Sequence, residues 1–140
     1  MSILIHLIAS IILALLLFAY FGWYSMLVFV GGVLIDVDHY LSYVIKFKIA
    51  NIFKSYFYFR KREFFGIFCV FHSLELLFVL VIISLFSKIV WLITIGLFVH
   101  YILDFIYELN LAGRLIKNWS LVLWVGKKLS KLFFSGKPKQ

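Results

Sequence analysis

The four histidines and six acids of this 140-residue chain are its chemically distinctive residues, because 65% of the sequence is hydrophobic. Glu63 lies in a basic stretch, where it can pair with Arg60 or Arg62. The others are His6, Asp36, Asp38, His39, His72, Glu75, His100, Asp104 and Glu108, and all fall in or at the ends of apolar runs. A charged side chain at the centre of a bilayer costs about 2.5–3.5 kcal/mol even on a lenient insertion scale. Several such residues require a shared compensation, either coordination or mutual hydrogen bonding. Their spacing suits it. His100 and Asp104 are i,i+4, while Asp36/His39 and His72/Glu75 are i,i+3, so each pair shares a helical face. Asp38 lies off that face unless the helix ends there. A histidine with a carboxylate one turn away can share a metal with it or be oriented by it from behind. Proton handling uses the same ingredients.

Taken singly, each motif reads as packing. His6 reads as an interhelical hydrogen bond, Asp36–His39 as a solvated helix end, and His72–Glu75 as contact between helices. Together, three histidines and two or three carboxylates exceed what packing needs. Glu108 is expected at the water interface.

The runs that carry these residues suffice to cross a bilayer, which takes about 20 apolar residues. They are Ile3–Phe21, Trp23–Ile45, Phe64–Phe86 and Ile89–Leu109, joined in pairs by Gly22 and by Ser87-Lys88. The first lacks a preceding basic residue and a following cleavage site, so it reads as a retained helix. Soluble domains are about 45–50% apolar and about 25% charged. Here charge is only 14% and mean hydropathy is +1.09, which nearly rules out a water-soluble globule. Disorder is excluded by 21% aromatic content. Cys69 alone forms neither an internal disulfide nor a cysteine-based zinc site.

The 14 basic residues orient the bundle. Lys46, Lys48, Lys54, Arg60, Lys61 and Arg62 lie between the second and third spans. Arg114, Lys117, Lys127, Lys128, Lys131, Lys137 and Lys139 follow the fourth, and only Lys88 occupies the other side. Positively charged flanks stay in the cytoplasm. The expectation is an all-α integral membrane bundle of four transmembrane helices in the cell membrane, with both termini cytoplasmic. A transmembrane domain, residues 1–110, contains a basic loop at 46–63, and a basic amphipathic cytoplasmic tail covers 111–140. Aromatic and cationic residues interleave in Lys46–Arg62 and Trp119–Phe134, which suits interfacial helical segments against anionic headgroups. Membrane lipid is therefore the expected partner, and nucleic acid is not. This topology brings polar residues of all four spans to the cytoplasmic half, so His6, Asp36, His39, His72, His100 and Asp104 are expected to converge.

The order of these residues resembles the YdjM-type family of membrane-bound, predicted metal-dependent hydrolases. The shared pattern is an early histidine (His6), Asp36-Val37-Asp38-His39 at the end of the second span, His72-Ser73, and His100-Tyr101-Ile102-Leu103-Asp104 in the last. It covers about Ile3 to Leu123. The family's His-Arg before His-Ser is absent from Gly66-Ile67-Phe68-Cys69-Val70, and Ile35 replaces a proline; Glu75 can substitute as a ligand. The resemblance implies a membrane-embedded metal-dependent hydrolase.

Mixed imidazole and carboxylate ligands suit zinc first, with manganese or iron(II) also compatible. The expected metal ligands are His6, Asp36, His39, His72, His100 and Asp104. A metal activates water at neutral pH, and Asp38 or Glu75 is the expected general base. The expected substrate is an ester or phosphoester bond of a lipid-like molecule at the cytoplasmic face. Two other readings use the same residues: a structural or interaction protein whose cluster specifies packing, and a proton or metal-ion transport subunit. A transport path would need ionisable groups in the outer half of the spans, which the sequence lacks. Topology reporters fused after Ser87 and after Gln140 should give opposite sides of the membrane; the same side for both would end the four-span reading.

Overall fold

The computed structural model describes residues 3–60, 70–112 and 119–134, and these are mostly helical, with no strand among them. From Ile3 to Phe47 the chain is one helical run of 45 residues. Straight, it would extend about 68 Å, roughly twice the hydrocarbon thickness of a bilayer. It turns back at Gly22, whose φ of +53° glycine adopts without steric penalty. Helix α1 (Ile3–Phe21) is followed by a 3-10 stretch, Gly22–Leu27, and by α2 (Val28–Gly32). The two helices form a hairpin in which Ser10 meets Gly32.

The second expected span, Trp23–Ile45, is not a single α-helix. Val33 leaves helical geometry at φ −129°, ψ −51°, and Leu34–Asp36 is a 3-10 turn before α3 (Val37–Phe47). The reason is local. Gly31-Gly32 has low helix propensity, and short acids such as Asp36 and Asp38 favour caps and turns over helix interiors. Lys48 ends α3 in the left-handed conformation, and Asn51 caps α4 (Ile52–Arg60) through a 2.9 Å bond to the Lys54 amide. The Ile52–Arg60 part of the basic loop is thus helical and returns toward α3, with Tyr58 against Tyr43 and Phe47.

The third expected span is also interrupted. Phe64–Cys69 and Glu63 lie outside the described residues. After them, Val70–His72 is a 3-10 turn, and Ser73 is extended at ψ 137° and caps α5 (Leu74–Ser84). Ser87 then opens α6 (Lys88–Ala112), accepting from the Val90 amide through Oγ and from Trp91 through its carbonyl. The last described element is α7 (Leu121–Phe134). By length and composition, Ile3–Phe47 and Lys88–Asn110 can cross a membrane; α5 is a shorter apolar helix.

The closest packing joins α2 to α6. A Cβ on Gly31 would fall on the Ile93 carbonyl and lie 2.6 Å from the Leu97 amide nitrogen, and one on Gly96 would strike the Val28 carbonyl. Small residues permit such backbone contact between apolar helices. The surface is correspondingly inverted. Leu15, Leu16, Phe78, Phe98 and Phe105 are exposed, while buried polar residues outnumber buried apolar ones among the described residues. Gly96→Ala should lower unfolding stability by about 1–3 kcal/mol through overpacking. Gly126→Ala, which meets nothing within 4 Å, should cost nothing, and thermal unfolding of the two variants in detergent distinguishes them.

Candidate metal centre

The glycine contacts set the level of the polar residues. Ser10, Gly32 and Gly96 form one layer. Four residues before Ser10, and four after Gly32 and Gly96, come His6, Asp36 and His100, which meet as a possible ligand group. The break after α2 contributes directly. In a continued α-helix the Gly32 carbonyl would accept from the Asp36 amide, but that amide bonds Val33 O at 3.2 Å instead. The Gly32 carbonyl accepts from His100 Nδ1 at 3.0 Å.

Donating that bond places a hydrogen on Nδ1 of His100, so in the neutral ring its inward-facing Nε2 carries the lone pair. His72 is arranged the same way. Its Nδ1 lies 3.1 and 3.2 Å from the two oxygens of Asp38, so its Nε2 also faces inward. The two Nε2 atoms are 3.0 Å apart. Asp36 Oδ1 lies 3.5 Å from Nε2 of His72 and 3.6 Å from that of His100. Asp104 Oδ2 is 3.9 and 3.7 Å from the same two atoms. Ligands at 2.0–2.1 Å around a tetrahedral zinc are about 3.3–3.4 Å apart, within the spread seen here.

Each of these four groups has a partner behind it. Asp38 holds His72 and also accepts from the Phe71 amide at 2.8 Å. The Gly32 carbonyl holds His100. His6 Nε2 is 3.4 Å from Asp104 Oδ1, and its ring stacks on His100 at 3.9 Å. His39 Nδ1 lies 3.0 Å from Asp38 Oδ1 and 3.6 Å from Asp36 Oδ1. Such outer contacts fix the tautomer and orientation of metal-binding residues. His6, His72, His100 and Asp104 are buried; Asp36, with its side chain 22% exposed, and His39, at 14%, mark the open side.

The structure therefore brings together all six expected ligands, His6, Asp36, His39, His72, His100 and Asp104, and their buried groups can hold a metal ion. It gives the two expected bases other partners. Asp38 is enclosed by His72, His39 and the Phe71 amide. Glu75 is turned away from the cluster, because the extended Ser73 breaks the i,i+3 face it would share with His72. Its carboxylate accepts from Ser120 Oγ at 2.6 Å and from the Leu121 and Val122 amides at 3.0 and 3.3 Å. Glu108, expected at the water interface, is buried beneath Trp119, whose indole N–H donates to it at 3.3 Å.

Sequence reasoning missed Tyr101. Its hydroxyl lies 2.9 Å from both the Phe71 and Ser73 carbonyls and so clamps the turn that carries His72. It also missed Gly32, for which the Gly31-Gly32 pair opposite Gly96 was the available signal.

Comparison with protein-family models, curated proteins and solved structures finds no match to the chain. The YdjM-type resemblance rests on the residue pattern alone.

Asp38→Asn keeps the size of the side chain but removes the charge behind His72. It should weaken divalent-metal affinity by about 10–100-fold, the usual effect of losing such a partner, as measured by competition with a chromogenic chelator.

Proposed function

We propose that the protein is a membrane-embedded, metal-dependent hydrolase acting on an ester or phosphoester bond of a lipid-like substrate. In this reading the chain crosses the cell membrane four times, with both termini and the site's opening on the cytoplasmic side. The inverted surface supports a lipid environment, because contiguous exposed apolar area of this kind marks membrane or partner contact.

The observation that carries the metal reading is the 3.0 Å approach of two Nε2 lone pairs, His72 and His100, with both Nδ1 hydrogens already donated. Two lone pairs at that distance repel unless a cation lies between them. A shared proton supplies one positive charge, but Asp36 and Asp104 bring two negative charges to the same atoms. A divalent ion balances both carboxylates and satisfies both imidazoles. Nitrogen and oxygen donors without thiolate favour zinc, with manganese or iron(II) compatible. Bound there, such an ion supplies the Lewis acidity that activates water and polarises an ester or phosphoryl oxygen.

The chain's own residues do the rest. His72, His100, Asp36 and Asp104 hold the ion, while His6 and Asp38 keep Asp104 and His72 aimed at it. His39, held through Nδ1 by Asp38 at the open side, is placed to take a proton. The burial of His100 and Asp104 excludes bulk water from the inner wall.

Metal analysis of detergent-purified protein tests the reading. About one equivalent of transition metal is expected, and chelation should lower the melting temperature. Readdition of zinc or manganese at 100 times Kd should restore about 2.7 kcal/mol. His100→Ala should abolish both effects. Protein without metal, insensitive to chelator and to added ions, would return the cluster to a packing role. Metal binding without turnover of any phospholipid or phosphoester would keep the site and overturn the hydrolase.

A further inference from the structure

Helix α7 has two faces. Leu121, Val125 and Leu129 recur every fourth residue beside Val122, and all four are exposed, Val122 by 68%. Helical spacing puts Lys127 and Lys128 away from the centre of this stripe, and the Lys128 ammonium sits 5.0 Å from the Trp124 ring centroid. From Arg114 to the end, the sequence has seven basic residues and no acid. An apolar stripe flanked by cations is the complement of an anionic bilayer surface, where the stripe enters the acyl boundary and the lysines meet headgroups.

The start of this helix is bound to the turn that carries His72. Glu75 receives the Ser120 hydroxyl and the Leu121 and Val122 amides, a carboxylate at a helix N-terminus where the exposed amides favour it. In return the Leu74 amide donates to the Trp119 carbonyl at 2.8 Å. The Trp119 ring packs on Tyr101 at 5.5 Å, and the Tyr101 hydroxyl reaches the carbonyls on either side of His72. α7 is thus fastened to α5 two residues beyond His72, and to its clamp.

We infer that α7 docks on an anionic lipid surface and that this docking, transmitted through Glu75, Trp119 and Tyr101, holds the His72 turn in its metal-facing position. The inference rests on the membrane and metal reading above and adds control of the site by lipid charge. Lipid seated under α7 fixes the frame from which Glu75 is bonded. Without it, the bonds to Ser120, Leu121 and Val122 no longer tie the start of α5 to a fixed surface.

The full chain in nanodiscs of phosphatidylcholine, with or without about one-third phosphatidylglycerol, provides the test. The first readout is hydrogen exchange of the Phe71 and Leu74 amides, which requires no metal. Exchange should slow by about fivefold or more in anionic discs, the lower end of typical coupling between sites. Zinc affinity, the second readout, should tighten in parallel. Glu75→Gln should remove both lipid effects, and Lys127→Glu with Lys128→Glu should remove them while leaving the values in neutral discs unchanged. Equal exchange in both lipids, or a lipid effect that survives Glu75→Gln, overturns the inference. Slowing that follows protein concentration instead of lipid charge would assign the face to a second copy and overturn it as well. Absence of zinc binding in every disc would count against the hydrolase reading alone, since the exchange result still decides the docking.

Discussion

Two backbones touch at Gly31, Gly32 and Gly96, and that contact sets the level of everything polar inside the bundle. A side chain at Gly31 or Gly96 would hold α2 and α6 apart, and one at Gly32 would strike Ser10 of α1. Because the helices meet without intervening side chains, His100 comes within hydrogen-bonding distance of a carbonyl that the end of α2 has released. Ser10 against Gly32 extends the same level to α1. One turn beyond, His6, Asp36 and His100 necessarily share a height, and Asp104 follows on the same face of α6.

The cluster is a balance of charge in a place where charge is expensive. Asp36, Asp38 and Asp104 stand among four imidazoles, and most of these groups are buried. The imidazoles alone do not settle the balance, since two of them bring their Nε2 atoms to 3.0 Å from each other. Enclosing the carboxylates and turning apolar residues outward are two sides of one arrangement. A polar interior is stable only if its members satisfy one another, and an apolar exterior only if lipid or a partner covers it.

The sequence made much of this legible, and its failures share a cause. His100 and Asp104 lie on an unbroken helix, so their spacing translated directly into a shared face. The convergence of His6 with Asp36 and His100 followed from depth along apolar runs. The surroundings of Asp38 and Glu75 were not legible, because spacing on a continuous helix does not describe them. The chain departs from one at Val33 and again at Ser73, which turns Asp38 inward and Glu75 outward. The partners of Glu75 lie 45–47 positions further along the chain, and no local pattern announces them. The hairpin at Gly22 was legible, since a lone glycine between two apolar runs left little other choice.

The cluster is divided between two halves of the chain. The α1–α3 segment carries His6, Asp36, Asp38 and His39, whereas the segment from Val70 to Ala112 carries His72, His100 and Asp104. Neither half holds a complete set. In the proposed membrane setting each half would enter the bilayer with its polar groups only partly matched, and the mismatch would be relieved when the halves meet. Assembly would thus be pulled toward completion by the least lipid-compatible residues in the sequence. A half that failed to find its counterpart would leave bare carboxylates and imidazoles in hydrocarbon.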